Sequence, residues 1–563
     1  LVWKVRRIRR PMEYQPVRVI IKHSDIRKVY RAGNSVAIGS LFYKGRLYSG
    51  RALLELASSW PISGFHQELN TSTGHFALIL EKKDQFVLAV DRLRSIPLFM
   101  AKHGDTLFVG DDSVAVACGK ELEGFDPVLA FEFLLCGYVT GADTLCREVR
   151  QLRPGHYAVV NAGRGTLEVK DLRYYEFVHH CGPETFPDEA IDRFDQTLTT
   201  VFRRLVDYAN GRTIVVPLSG GFDSRLVVLM LKRLGYDNVI AFSYGCPGNK
   251  ESSISQRVAG SLGIPWRFLP YSHESWVRWW NSPERVRYWS LAHQLSAVPH
   301  IQDWPAVWQM YDKKDIPHDS VFVPGHSADL LAGSRSSVIP GLYRPGGFDI
   351  ADVAQLLFKN NYCLWDPRSV DCDVVQSLEV RIVSNLEHRA HHPDAASLYE
   401  VWDVEERQAK FIVNSVRAYE QWGFDWWLPF WDAEYLDYWA HCPLDLRIGK
   451  TMYEGHVSEL YRNLTGVSAS ASRQTERSGL RSRLRHRLST SRFSGPLRCV
   501  YRRTVKSRTE YHGHPLAWYS VVGQQEFRRR FTGRENINSF LSREILHSWG
   551  MDIWRGGKLA VET

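Results

Sequence analysis

The residues 215–225 carry the clearest chemistry. Val215-Val216-Pro217-Leu218 is apolar, Ser219-Gly220-Gly221-Phe222-Asp223-Ser224 is mostly small and polar, and an apolar run resumes after Arg225. That order predicts a buried strand, a tight loop and a helix. Two adjacent glycines let the backbone approach an anion closely and adopt positive φ where needed. The helix start beyond them offers unpaired N–H groups and the positive end of its dipole. Ser219 and Ser224 add hydroxyl donors. Asp223 does not suit a bare phosphate but suits one carrying Mg²⁺. The loop therefore predicts ATP with magnesium. No Gly-Lys-Ser/Thr follows, so it is not a Walker A loop. The competing reading is an ordinary strand-to-helix turn.

A second cluster has the same grammar: Val321-Phe322-Val323-Pro324-Gly325-His326-Ser327-Ala328-Asp329-Leu330. An apolar strand again runs into small residues holding one acid. Asp223 and Asp329 would then leave the C-terminal ends of two parallel strands, where open α/β sheets bind ligands. Two carboxylates meeting there can share one Mg²⁺. The alternative is Asp329 as a helix N-cap. The Ser219–Ser224 string resembles the PP-loop of the ATP pyrophosphatase (adenine nucleotide alpha-hydrolase) superfamily. That resemblance implies cleavage of ATP between its α and β phosphates. It also implies adenine against the next strand, at Phe242 and Ser243, with Leu218 and Gly325 completing the nucleotide site. Residues 251–262 have helical spacing and end at Gly263, a C-cap signal.

At 563 residues the chain is long for one core and predicts two or three domains. Its 44% hydrophobic and 24% charged residues fit a soluble globular protein. The 19 tryptophans predict aromatic cores or aromatic-lined clefts. No apolar stretch approaches the ~20 residues needed to span a bilayer. Residues 1–16 open too charged for a signal-peptide core and read as an extension. The nine cysteines show no Cys-x-x-Cys pair, so reduced thiols in a cytoplasmic protein are expected and a zinc site is not. The net charge of +9 is concentrated between residues 473 and 508, where arginine alternates with serine and acids are nearly absent. A solvated insertion at 466–510 is the plain reading. Peripheral contact with anionic lipid or a membrane-bound polyanion is the second. Nucleic acid is disfavoured, since no recognition module accompanies the arginines.

Residues 17–185 read as β-rich, with apolar runs at 17–21, 35–42, 75–80, 86–90, 106–109 and 156–160. Residues 74–79 and 86–92 suggest a hairpin. Gly74-His75-Phe76-Ala77, then Asp91-Arg92-Leu93-Arg94-Ser95-Ile96-Pro97-Leu98-Phe99, then Pro154-Gly155-His156 follow in order. In that order they resemble the glutaminase domain of asparagine synthetase. The resemblance implies an N-terminal nucleophile-type sandwich of two antiparallel sheets flanked by helices. That family uses an N-terminal cysteine, whereas the first cysteine here is Cys118. The expectation is a domain without glutaminase activity.

Residues 190–465 then resemble the family's parallel-sheet PP-loop synthetase domain, with residues 511–563 as its helical C-terminal part. The 325–333 segment resembles the family's Gly-Glu-Gly-Ser-Asp-Glu motif, with His326 and Leu330 where the family has glutamates. Trp427-Leu428-Pro429-Phe430-Trp431-Asp432 resembles its Arg-x-Pro-Phe-x-Asp. By the same resemblance Glu420 is a candidate catalytic acid and Lys450 the lysine that stabilises leaving pyrophosphate. Lys410 and Arg447 are weaker candidates. Details of the motifs and the tail look more like asparagine synthetase-like proteins of bacterial surface-polysaccharide clusters.

The reading is an ATP-dependent amide-forming ligase, with ATP and Mg²⁺ as cofactors. Its partners are a small-molecule or glycan carboxylate and an external ammonia source; a homodimer stays open. Intramolecular amide cyclisation, an ATP-binding regulator and a PP-loop enzyme acting on tRNA remain alternatives.

Overall fold

Alternation of period two sorts the side chains of residues 35–43 and 72–90 onto two faces. Ile38, Ile79, Leu88 and Val90 are buried toward a second sheet that supplies Phe99, Ala101, Leu107 and Val109. The alternate residues Ala37, Leu78, Leu80, Val87 and Ala89 are buried with Leu53, Leu54, Phe65 and Leu69 of helices Gly50–Ser59 and Phe65–Asn70. The computed structural model describes residues 16–467 and 507–559, apart from 84, 118–124, 164–165, 181–186, 340, 344–346, 390, 552–553 and 556–557. Most of the basic stretch at 473–508 lies outside the described residues, as do residues 1–15.

The larger sheet runs Thr166–Arg173, His156–Gly163, Gln85–Val90, Ser72–Lys82, Ser35–Tyr43 and Val29–Ala32, with Arg46–Ser49 also paired to Ser35–Tyr43. The smaller sheet runs Val17–Ile20, Thr106–Gly110, Phe99–His103 and Val149–Gln151. The expected hairpin forms, with Lys82 opposite Gln85. One expectation is corrected: the smaller sheet is mixed. Val17–Ile20 pairs parallel with Thr106–Gly110. Parallel neighbours need a long connection, and here the intervening chain builds most of the larger sheet.

The second half is organised by a five-stranded parallel sheet. Its order is Trp266–Pro270, Val239–Gly245, Ile214–Pro217, Val321–Phe322 and Asp425–Trp426. Ile214, Val215 and Val216 are fully buried, so the strand reads as an unbroken apolar run rather than an alternation. From Ile214–Pro217 the chain first builds outward through Val239–Gly245 and Trp266–Pro270, then crosses to the other side for Val321–Phe322. The crevice between Ile214–Pro217 and Val321–Phe322 is therefore the topological switch point of the sheet. Helix Phe222–Arg233 follows the central strand and buries the run from Ser224 to Leu231. The tail adds helices Ser507–Gly513, Gln524–Arg530 and Ile537–Ser548, then a two-stranded ribbon at Trp554–Arg555 and Lys558–Leu559, which the expectation of a helical tail omitted.

The two halves share one apolar core, and a buried ionic cluster lies at their seam. Arg27 donates to Glu420 at 3.0 Å and to Asp111 at 3.1 Å. Arg417 pairs with Glu420 and donates to the Ser95 carbonyl. Trp426 Nε1 donates to Glu420 Oε1 at 3.0 Å. Glu420 is 2% exposed and its carboxylate is spent on this cluster. Its pKa is held below the ordinary value: burial opposes ionisation, but Arg27 and Arg417 outweigh it. Glu420→Ala leaves two guanidiniums without their shared counter-charge. The expected cost is about 3–5 kcal/mol in denaturant unfolding, with nucleotide affinity of the folded protein unchanged.

Candidate active site

The Ser219–Ser224 loop stands at the switch point. Gly221 caps helix Phe222–Arg233 without any side-chain capping bond, so the first-turn N–H groups remain available to an anion. The serine hydroxyls hold the loop's own shape. Ser219 N–H donates to Ser224 Oγ at 3.0 Å, and Gly221 N–H donates to Ser219 Oγ at 3.1 Å. Neither loop glycine has positive φ. Their need is space: a Cβ on Gly220 would sit 3.2 Å from Ile254 Cδ1.

Gly325 brings the second loop against the first. A Cβ there would lie 2.4 Å from the Ser224 nitrogen and 2.7 Å from the Asp223 carbonyl carbon. This contact sets the two acids together. Asp329 N–H donates to Asp223 Oδ2 at 3.3 Å, and Tyr453 O–H donates to Asp223 Oδ1 at 2.8 Å. Lys450 Nζ lies 2.9 Å from Asp329 Oδ2 and 3.3 Å from Glu454 Oε1. Burial, and then Asp329, push the Asp223 carboxyl up to about 8. Burial works against the Lys450 ammonium, but Asp329 and Glu454 hold its pKa above the ordinary value. Two adjoining carboxylates with only oxygen donors fit a hard divalent cation such as Mg²⁺. Asp329 is not an N-cap, since Ser327 occupies that position. Ser327 and Lys450 both hold left-handed backbone, with φ of 66° and 59°. Such strain persists only where surrounding structure fixes it, here by Ser327 Oγ donating to Gln408 at 2.6 Å and Gly449 N–H to Ser336 Oγ at 2.8 Å.

The cleft has two adjoining lobes that share Pro217, Ser219, Tyr244 and Gln302. One, of about 420 Å³, holds Asp223, Gly325, His326, Asp329 and Lys450. The other, of about 490 Å³, is lined by Leu218, Phe242 and Ser243. The candidate nucleotide and magnesium residues thus converge on one cleft. Burial, and then His300, lower His326 to about 3, so its imidazole is neutral; Ser415 Oγ lies 3.3 Å from its Nε2. Leu330 is buried core. Glu420 is absent from both lobes, Lys410 is bound to the Val139 and Gly141 carbonyls, and Arg447 is buried against Glu400.

Sequence reasoning missed His300, Asp303 and Tyr453. Burial pushes Asp303 up to about 6; Tyr419 O–H donates to its Oδ2 at 2.7 Å. Its Oδ1 is buried and has no partner among the described residues. The Asp303-Trp304-Pro305 string was a visible helix-start signal, but nothing local aimed the acid at this cleft. Tyr453 follows Lys450 by one helical turn, which was legible spacing.

Gly325→Ala would force the two loops apart. The expectation is a loss of turnover of about 100-fold, as for other angstrom-scale misplacements of reacting groups, with weaker ATP binding by calorimetry. Gly260→Ala, which meets nothing within 4 Å, is the control and should bind normally.

Residues 53–175 match the family described as "Glutamine amidotransferase domain", and residues 199–287 match the family described as "Asparagine synthase". Over 83 residues the chain is 34% identical to tRNA-specific 2-thiouridylase MnmA of Lactiplantibacillus plantarum, covering 13% of this chain and 22% of that protein. The NH3-dependent NAD synthetase from Campylobacter jejuni overlays with 13% identity and a TM-score of 0.20, covering 36% of this chain and 95% of that one. The glutamine phosphoribosylpyrophosphate amidotransferase from B. subtilis overlays with 11% identity and a TM-score of 0.17, covering 53% of this chain and 63% of that one. The two matches stand in order on one chain, and together they support an asparagine synthetase-like arrangement of an amidotransferase domain followed by a synthetase domain.

Proposed function

We propose that the protein is an ATP-dependent ligase that adenylates a carboxylate and couples it to nitrogen. The observation that carries this reading is the meeting of Asp223, Asp329 and Lys450 beside an uncapped helix start at the switch point. ATP is a substrate here. A carboxylate oxygen of the acceptor attacks the α-phosphorus, the bond to the bridging oxygen breaks, and pyrophosphate leaves. The acyl-adenylate then meets a nitrogen nucleophile, AMP departs, and the nitrogen loses a proton. Adenylation replaces a poor leaving group, oxide, with AMP.

Helix N–H groups orient the phosphates, and Lys450 stabilises charge on the departing pyrophosphate. Asp223 and Asp329 would hold Mg²⁺, which neutralises phosphate charge when bound. Neutral His326 offers a hydrogen bond without charge to the acyl group. Asp303, buried with an unpartnered oxygen, is placed to accept from an N–H of the acceptor or the incoming nitrogen. The first lobe has room for a small or sugar acid. Residues 17–117, which build most of both sandwich sheets, contain no cysteine, so this reading takes ammonia or a substrate amine as the nitrogen source.

Pyrophosphate release in the presence of ATP, ammonium and either aspartate or sugar uronates tests the reading. Release should depend on an acid and on Mg²⁺, with EDTA abolishing it and glutamine failing to replace ammonium. Asp223→Asn should lose turnover to background. Bound ATP with no release would make the protein a regulator. Release stimulated only by tRNA would move it beside the thiouridylase-like enzymes. The Asp303 carboxyl is protonated below about pH 6 and becomes a full acceptor above it. The expected kcat/KM for the acceptor therefore rises through pH 6, and Asp303→Asn removes that limb.

A further inference from the structure

The second lobe of the cleft is walled by a tail segment that lies more than 200 residues from the loop it faces. Cys246 N–H donates to the Pro515 carbonyl at 2.7 Å, and Trp276 Nε1 donates to the Leu516 carbonyl at 2.6 Å. These bonds tie the segment to the end of strand Val239–Gly245 and to helix His273–Trp280. Ala517 is fully buried with a left-handed φ of 52°, a strained turn held by its surroundings.

That turn presents two rings. His514 and Trp518 stack with centroids 4.7 Å apart and planes 16° from parallel. Leu516 N–H donates to His514 Nδ1 at 3.2 Å, which leaves Nε2 to carry the ring proton. Burial lowers this imidazole to about 4, so the ring is neutral and adds no charge to the wall. The Trp518 indole N–H is buried without a well-formed hydrogen bond among the described residues, although it interacts with the Tyr519 hydroxyl. Across the lobe stand Leu218, Phe242 and Ser243, and Ser219 joins the lobe to the phosphate-facing loop. Phosphate would gain nothing from a neutral stacked pair. A flat heteroaromatic base with ring-nitrogen acceptors would gain both a stacking face and a donor.

We propose that His514 and Trp518 are nucleobase-recognition residues: the purine of ATP packs against this ring pair, and the indole N–H finds its acceptor on the nucleoside. The inference rests on the ATP reading of the loop and assigns the tail a direct part in it.

Calorimetric titration of the full chain with Mg²⁺·ATP and with Mg²⁺·tripolyphosphate separates the two claims. Wild type should bind ATP more tightly than the base-free triphosphate. Trp518→Ala should weaken ATP by ~10–100-fold and leave tripolyphosphate unchanged, while Trp518→Phe keeps most of the affinity. Equal ATP affinity in wild type and Trp518→Ala, or equal loss of both ligands in that variant, overturns the inference alone. Wild-type binding of neither ligand overturns the loop reading as well. A second measurement needs no variant. Photolabelling with 8-azido-ATP should place the label on residues 514–518, and labelling confined to other segments would refute the wall.

Discussion

Two carboxylates held within one crevice are the constraint around which the synthetase half is arranged. Like charges so close resist ionising together, and burial raises the cost further. Several features of the fold counter that cost. The Asp329 N–H and the Tyr453 hydroxyl both donate to Asp223, and Lys450 sits against Asp329. Gly325 is needed for the loops to meet at all, since any side chain would run into the backbone of Asp223 and Ser224. The left-handed backbone at Ser327 and Lys450 lies beside the same pair of acids. Strain, charge repulsion and close backbone approach coincide at one place, as they do where a fold is kept for binding rather than for stability alone.

The N-terminal sandwich contributes to this arrangement from a distance. Strand Asp425–Trp426 is the edge of the parallel sheet next to Val321–Phe322. An open edge invites slippage and foreign pairing. Here Lys28 from the sandwich joins Arg212 of the synthetase half on Asp425, while Arg27 reaches Glu420 and the His75 ring packs against Trp426 and Trp427. His75 Nε2 also accepts the Leu428 N–H at 3.2 Å, and burial lowers that imidazole to about 3. The seam therefore fixes the strand that in turn supports the loop carrying Asp329. A domain can serve catalysis in this way without contributing a reacting atom.

The sequence made the loop legible because its residues are consecutive: apolar strand, glycine pair, acid and helix must fall in one turn of chain. Asp329 was legible for the same reason. Lys450 needed the order of motifs as well, because nothing in its own segment distinguishes it from a solvated lysine. Glu420 shows where that approach fails. Its position before Trp427–Asp432 matched a pattern, but the side chain turns toward Arg27 and Arg417 rather than the cleft. Which way a buried acid points is decided by the cations that tertiary folding brings to it. Asp303, and the His514–Trp518 pair, were invisible for a related reason: their partners lie on other elements, and no local periodicity records them.

The division of the cleft also bears on which bond of ATP is exposed to attack. A nucleotide whose base fills the lobe at Phe242 would reach the acids past the shared lining of Pro217, Ser219, Tyr244 and Gln302. On the proposed reading the phosphate nearest the ribose would lie at the junction, with the outer phosphates along the helix start toward Lys450. An acceptor in the first lobe, beside His326 and Asp303, would share that lobe with the phosphates. On the same reading, a base in the lobe at Phe242 and an acceptor beside His326 and Asp303 would set the innermost phosphorus between them, which is the atom that adenylation attacks.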